Sequence, residues 1–196
     1  MSGPGSDPVR LRADMVHPSH LEALLPALGP AVVLRLRGCS RLSERLASRI
    51  GSISALPSAA EATEAERLAL RSPERIEEAG RLMGAAWHGR ALQGCIDAGI
   101  VAELDARIGR AARLFGLRAG LASADTPVAA PGALAAAVTT DGLACLAAWR
   151  KALRHPFRQL ASLKLPRHGL PPAAPAGQAD PIIARVLQEV ADEPRP

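Results

Sequence analysis

The chain contains no tyrosine, and its whole aromatic complement is Trp87, Phe115, Trp149 and Phe157. So few ring faces argue against a surface that stacks unpaired bases. Cysteine is scarce as well. Cys39, Cys95 and Cys145 are odd in number, and no two have C-x-x-C spacing. Neither a zinc site nor a disulfide framework is supported, and the expectation is three free thiols buried as small apolar groups in a reducing compartment. No run of about 18 apolar residues occurs, so no membrane-spanning helix is expected. The opening MSGPGSDPVRLRADM lacks the apolar stretch of a secretory signal. These absences point to a cytosolic protein without membrane insertion. Phosphate-cradling glycine loops and a G-x-S-x-G elbow are missing too. No nucleophile, base and orienting group can be assembled from the motifs, so no catalytic residue, cofactor or metal is assigned and no enzyme is expected.

What is present is apolar and small. Hydrophobic residues make up 48% of the 196 residues, enough for a real core. With so few aromatics that core is built from Ala, Leu, Val and Ile, which suits closely packed helices. Nearly all the basic residues are Arg. The formal charge of +5 and a pI near 10.0 are basic, yet well below the Lys/Arg density of a dedicated DNA binder.

Periodicity and capping signals predict helices throughout. Residues 1–14 read as a loose tail. In MVHPSHLEALLP, Ser19 and Glu22 match a capping box, and Leu21, Leu24, Leu25 and Leu28 follow at helical spacing up to Gly29-Pro30. Val32, Leu36, Cys39, Leu42, Leu46 and Ile50 form one apolar stripe, with Gly38 as a bend or break. After a loop over 51–58, Ser58 and Glu61 match a second capping box. Ser72-Pro73-Glu74 restarts the chain as cap, N1 proline and acidic first turn. Ile76, Ala79, Leu82, Met83, Ala86 and Trp87 then share a side. Val101, Leu104, Ile108, Ala111 and Phe115 make another stripe. A loop spans 120–132. Thr140 or Asp141 caps the helix carrying Leu143, Leu146, Trp149 and Leu153, and Pro156 breaks it. Both tryptophans are core candidates. No alternating strand or hairpin signal is found. The expectation is an all-α, compact, irregular domain of seven to ten short helices over 15–165. A proline-rich linker at 166–179 and a C-terminal helix and tail at 180–196 complete the chain.

Two features bear on function. His17 and His20, at i and i+3, place two imidazoles on one helical face, but no Cys, Asp or Glu pattern supplies further metal ligands; a histidine in a capping turn is the plainer account. His88 and His155 lie beside helix breaks, where a helix C-terminus favours them. The second feature is charge. Residues 142–179 contain no acid, while Arg150, Lys151, Arg154, Arg158, Lys164 and Arg167 fall within them. Three readings compete for this window. A solvated helical face ranks first, a docking surface for an acidic protein or an anionic membrane second. Nucleic acid comes last, because aromatics are few and no helix-turn-helix pattern stands out.

Four segments, in order, resemble the SctK (YscK-type) family of bacterial type III secretion systems. HPSHLEALLP (17–26) is similar to its N-terminal H-P-S-x-L element. RLMGAAWHGRALQGCIDAGIVAELDARIG (81–109) is similar to its central helix pair. DGLACLAAWRKALRHPFRQLASLKLP (141–166) resembles its Gly-Leu, Trp and Arg-Leu-x-Leu-x-x-P stretch, and PIIARVLQEV (181–190) its terminal helix. The resemblance implies a non-enzymatic adaptor in the bacterial cytoplasm, peripheral at the inner-membrane base of the injectisome. It would join the forkhead-associated-like cytoplasmic domain of the ring protein SctD to the pod protein SctQ. Through SctQ it would reach SctL and the SctN ATPase. Arg150, Lys151, Arg154, Arg158, His17 and Pro18 are the partner-binding candidates that follow, with no nucleic acid among the partners. The alternative is a small cytosolic nucleic-acid-binding or regulatory protein using the 150–167 window.

Overall fold

The computed structural model describes residues 11–50, 59–119 and 130–192. Among these the backbone forms a 3-10 turn at Ala13–Met15 and eleven α-helices, with no strand. In chain order they are α1 (Pro18–Leu24), α2 (Pro30–Arg37), α3 (Ser40–Ile50), α4 (Glu64–Leu70), α5 (Pro73–Trp87), α6 (Gly89–Gln93), α7 (Ala98–Ile108), α8 (Arg110–Ala119), α9 (Pro131–Ala152), α10 (Phe157–Lys164) and α11 (Ala176–Asp192). The all-α class is as the periodicity predicts. The helices gather into two compact units, each made from two stretches of chain. One takes the described residues up to Pro73 together with Leu153–Gly169; the other takes Glu74–Ala152 and the described residues from Leu170 onward.

The first unit is built from α1 to α4 and α10 around two small apolar clusters. Ala13, Leu21 and Val33 pack with Leu46 and Ile50; Leu11, Val16, Ala47 and Leu160 pack with Met15, Leu70 and Leu163. Leu11 and Ala13 are buried, so residues 11–14 are not the loose tail expected of them; residues 1–10 lie outside the described residues. The predicted stripe through α2 and α3 holds in part. The helix breaks at Gly38-Cys39, at the glycine expected to bend or break it, and Leu46 and Ile50 pack inward, but the fully buried residues are Val33, Ser43 and Ala47, while Val32 and Leu42 are exposed. Ser43 belongs there because its hydroxyl accepts the Ala13 amide at 2.8 Å, which satisfies both buried groups.

Helix starts follow capping chemistry, at different residues from those predicted. The first cap is His17 with Pro18 at N1, in place of Ser19 with Glu22. The second capping box is Thr63 with Glu66: the Thr63 hydroxyl accepts the Glu66 amide while the Glu66 carboxylate accepts the Thr63 amide. Ser58, expected to fill that role, lies outside the described residues with the rest of the 51–58 loop.

The second unit is organised on a close approach of α5 to α9. A β-carbon at Gly84 would stand 1.8 Å from the Val138 carbonyl oxygen, and one at Gly142 would stand 2.2 Å from that of Gly80. Gly80 and Gly84 are one helical turn apart, so the two backbones meet where neither helix carries a side chain. Around this crossing Ile76, Met83, Leu104, Phe115, Val138, Leu146 and Trp149 are buried, whereas Trp87 is only partly covered. Helices α7 and α8 are joined at Gly109, whose φ of 87° suits glycine. Arg113 grips Asp105 across that turn with two bonds of 2.6 and 3.1 Å.

Helix α9 starts at Pro131 and runs through Thr140 and Asp141, which were expected to cap it. It is long and apolar enough to cross a membrane by length and composition alone. Half of its apolar stretch is buried within the fold, as suits a core helix. Helix α11 begins ahead of Asp180, so Pro181 lies inside it. The proline-rich segment before it is tied back by the Ala174 amide, which donates to the Ala144 carbonyl at 3.1 Å.

Candidate functional site

The H-P-S-H segment is a latch in the first unit. His17 Nδ1 accepts from the amide and hydroxyl of Ser19 at 3.2 and 2.8 Å. The His17 amide donates to the Leu163 carbonyl at 2.9 Å. His20 Nε2 donates to the Leu165 carbonyl at 3.1 Å, and the Arg167 amide donates to the Ser19 hydroxyl at 2.9 Å. Pro18 starts the helix, and the His17 amide, the Ser19 hydroxyl and the His20 imidazole meet the chain at the end of α10. The two imidazoles are thus spent on the fold. Burial lowers the His20 pKa, against the Leu165 carbonyl, which raises it.

The basic window divides between the units. Arg150 and Lys151 end α9 in the second unit; Arg154, Arg158, Lys164 and Arg167 belong to the first. The i, i+4, i+8 series does not form one helical face, since α9 stops at Ala152 and α10 starts at Phe157. Arg154 is exposed, yet it holds the Glu66 carboxylate with two bonds of 2.7 and 2.8 Å. Glu66 is 2% exposed; the Arg154 hydrogen bonds, aided by Thr63, bring its carboxyl down to about 2 despite burial. Lys164 is buried, and its ammonium donates to the Arg71 carbonyl. Arg158 donates through Nε to the Leu153 carbonyl at 2.9 Å. Lys151, Arg158 and Arg167 remain exposed cations of the window.

One polar pair, a buried imidazole with a partly exposed carboxylate, was not foreseen. His88 is enclosed and donates through Nε2 to Asp141 at 2.7 Å, from the end of α5 to the middle of α9. The expectation that His88 serves a helix terminus misses this partner, 53 positions away. His88 Nδ1 is buried and meets no hydrogen-bonding group among the described residues. On the next turn of α9, burial pushes the Cys145 thiol up to about 12, with Asp141 adding to the effect. Cys95 and Cys145 are buried as expected, whereas Cys39 is partly exposed. No group of three or more His, Cys, Asp or Glu side chains among the described residues is arranged to hold a metal ion.

These features define an all-helical protein of two re-entrant units, in which most of the conspicuous polar residues serve the fold. No family model matches the chain, and no solved structure matches it. The chain is 33% identical over 199 aligned residues to nodulation protein NolU of Rhizobium fredii, covering 90% of this chain and 86% of the relative. The same figures hold for nodulation protein NolU of Sinorhizobium fredii (strain NBRC 101917 / NGR234). The chain belongs to the NolU family of nodulation proteins.

Proposed function

We propose that this protein is a non-enzymatic adaptor of a type III secretion machine. In this reading it sits in the cytoplasmic sorting platform and links the SctD cytoplasmic domain to SctQ, and through SctQ to SctL and the SctN ATPase. The observation that carries it is the joining of the first and third family-like segments. HPSH and SLKLPR are far apart in sequence, yet three hydrogen bonds bring them together in one folded unit. The segments that resemble the SctK family are therefore structural partners of one another. Kinship with NolU supports a secretion-related role. An adaptor works through several moderate interfaces whose strength rests on a few well-packed side chains rather than on total area.

The test is a pull-down of the purified protein with the SctD cytoplasmic domain and with SctQ from the same genome. Binding to both is the expected result. Binding to neither, while an established pair from another system binds in parallel, overturns the adaptor reading.

A further inference from the structure

Among the described residues six large apolar side chains are exposed, and four of them, Leu28, Val32, Leu34 and Leu42, fall between the end of α1 and the start of α3. Scattered exposed leucines need no explanation, but a concentration of this kind marks an interface. Helix α2 is the centre of it. Val33 is its one fully buried residue. At 100° per residue, Val32 and Leu34 stand on opposite flanks of the helix, with Ala31 and Arg35 between them on the outer side. Leu34 is 52% exposed, the most open of the four. Val32 and Leu42 lie on the stripe that periodicity assigns to a core, yet each keeps 36% of its surface exposed.

The charge around these residues selects the occupant. Arg35, Arg41, Arg45 and Arg49 are exposed along α2 and α3, where Glu44 is the single acid. A second copy of the same face would bring arginines against arginines. Of the segments of this chain outside the described residues, 1–10, 51–58 and 193–196 carry no net negative charge and 120–129 carries only Asp125, too little to answer four arginines. A bilayer is a poorer fit than a protein. Interfacial helices gather their apolar residues, often Trp or Phe, on one face, whereas α2 has apolar residues on both flanks and no aromatic. The exposed arginines beside these residues call for carboxylates across the contact, which a protein surface supplies in a fixed pattern.

We propose that α2, with Leu28 and Leu42 beside it, docks into an apolar groove edged with carboxylates on one of the adaptor's protein partners. This rests on the adaptor reading and adds the surface and the partner chemistry. Val32 and Leu34 pack against the two walls of the groove, while Arg35 between them and Arg41 beside them meet its carboxylates, which speeds and orients the encounter.

The experiment compares the wild-type chain with the V32E/L34E double variant for binding to the SctD cytoplasmic domain and to SctQ, after circular dichroism confirms the helical content of both. The double variant should lose about tenfold or more in affinity for one partner while keeping the other, as loss of interface hot spots does. R35E/R41E, which leaves the apolar contact in place, should lower the association rate and the salt dependence with that same partner. If wild type and V32E/L34E bind both partners equally, this surface is wrong and the adaptor reading stands. If the wild type binds neither, the adaptor reading fails and the surface falls with it. A double variant that keeps both partners but loses self-association in sedimentation, or loses binding to phosphatidylglycerol vesicles, assigns the face to a second copy or to a membrane and overturns the proposal.

Discussion

His20 and Leu165 are 145 positions apart, and the imidazole of one donates to the carbonyl of the other at 3.1 Å. The bond closes the first unit across the two stretches of chain that form it. H20A should therefore lower stability by about 1 kcal/mol, the usual net value of such a bond, read as a shift of the urea midpoint.

The same residue should make stability depend on pH. Burial holds the folded His20 below the ordinary value of 6.5. As pH falls through that value the unfolded chain takes up the proton first. The stability His20 contributes is therefore present above it and lost as pH drops towards the lowered folded value. Urea midpoints measured from about pH 7.5 down to about pH 5.5 should decline, and H20Q should flatten that decline.

Glu66 governs a more acidic range. Its folded carboxyl titrates near 2 instead of 4.5. The carboxylate stabilises the fold fully above 4.5, and that contribution disappears as pH falls to about 2. Acid titration followed by circular dichroism should show a shallower loss of structure for E66Q than for wild type across this interval. In neutral buffer R154E, which sets two carboxylates face to face, should lower the melting temperature more than R158E. R158E is consequently the cleaner probe of the basic window as a docking surface.

The crossing of α5 and α9 predicts a sharp contrast among glycines. G84A forces a methyl group against the Val138 backbone and should cost about 3 kcal/mol or more. G177A, in α11 with nothing within 4 Å of the added carbon, should leave the melting temperature unchanged or raise it. Two thermal melts check the pair.

Thiol reactivity should separate the cysteines. Cys39 is partly exposed, whereas Cys95 and Cys145 are buried and the Cys145 thiol lies near 12. A thiol reagent applied to the folded protein should modify Cys39 alone, and all three only in denaturant. Peptide mass mapping before and after unfolding gives the answer.

Helix type and most helix positions were legible because Leu, Ala and Val recur at helical spacing and Pro and Gly punctuate the chain. Pro18, Pro30 and Pro73 each open a helix in the way a first-turn proline does. Capping residues were read less well. Ser19 and His17 both offer a suitable acceptor, and the cap is His17 because the helix starts at Pro18, which leaves Ser19 inside the first turn. The stripe misled at Val32 and Leu42: periodicity shows which residues share a face, not whether another element covers it. The polar partners Glu66 with Arg154 and His88 with Asp141 had no local signal, being 88 and 53 positions apart. At the candidate site the sequence marked His17, His20 and the arginines as unusual. It could not tell that His20, Arg154 and Lys164 are occupied within the fold.

Synthesis on the ribosome gives the re-entrant layout a cost in time. Roughly 80 residues separate Pro73 from Leu153, which at a common elongation rate is about 4–16 s during which α1 to α4 wait for α10. Until then Leu163, Leu165 and Arg154 are not there to satisfy His17, His20 and Glu66. The nascent N-terminal third is thus a natural client for chaperones, and a transcript cut short before residue 153 would yield a product marked for proteolysis rather than a working half.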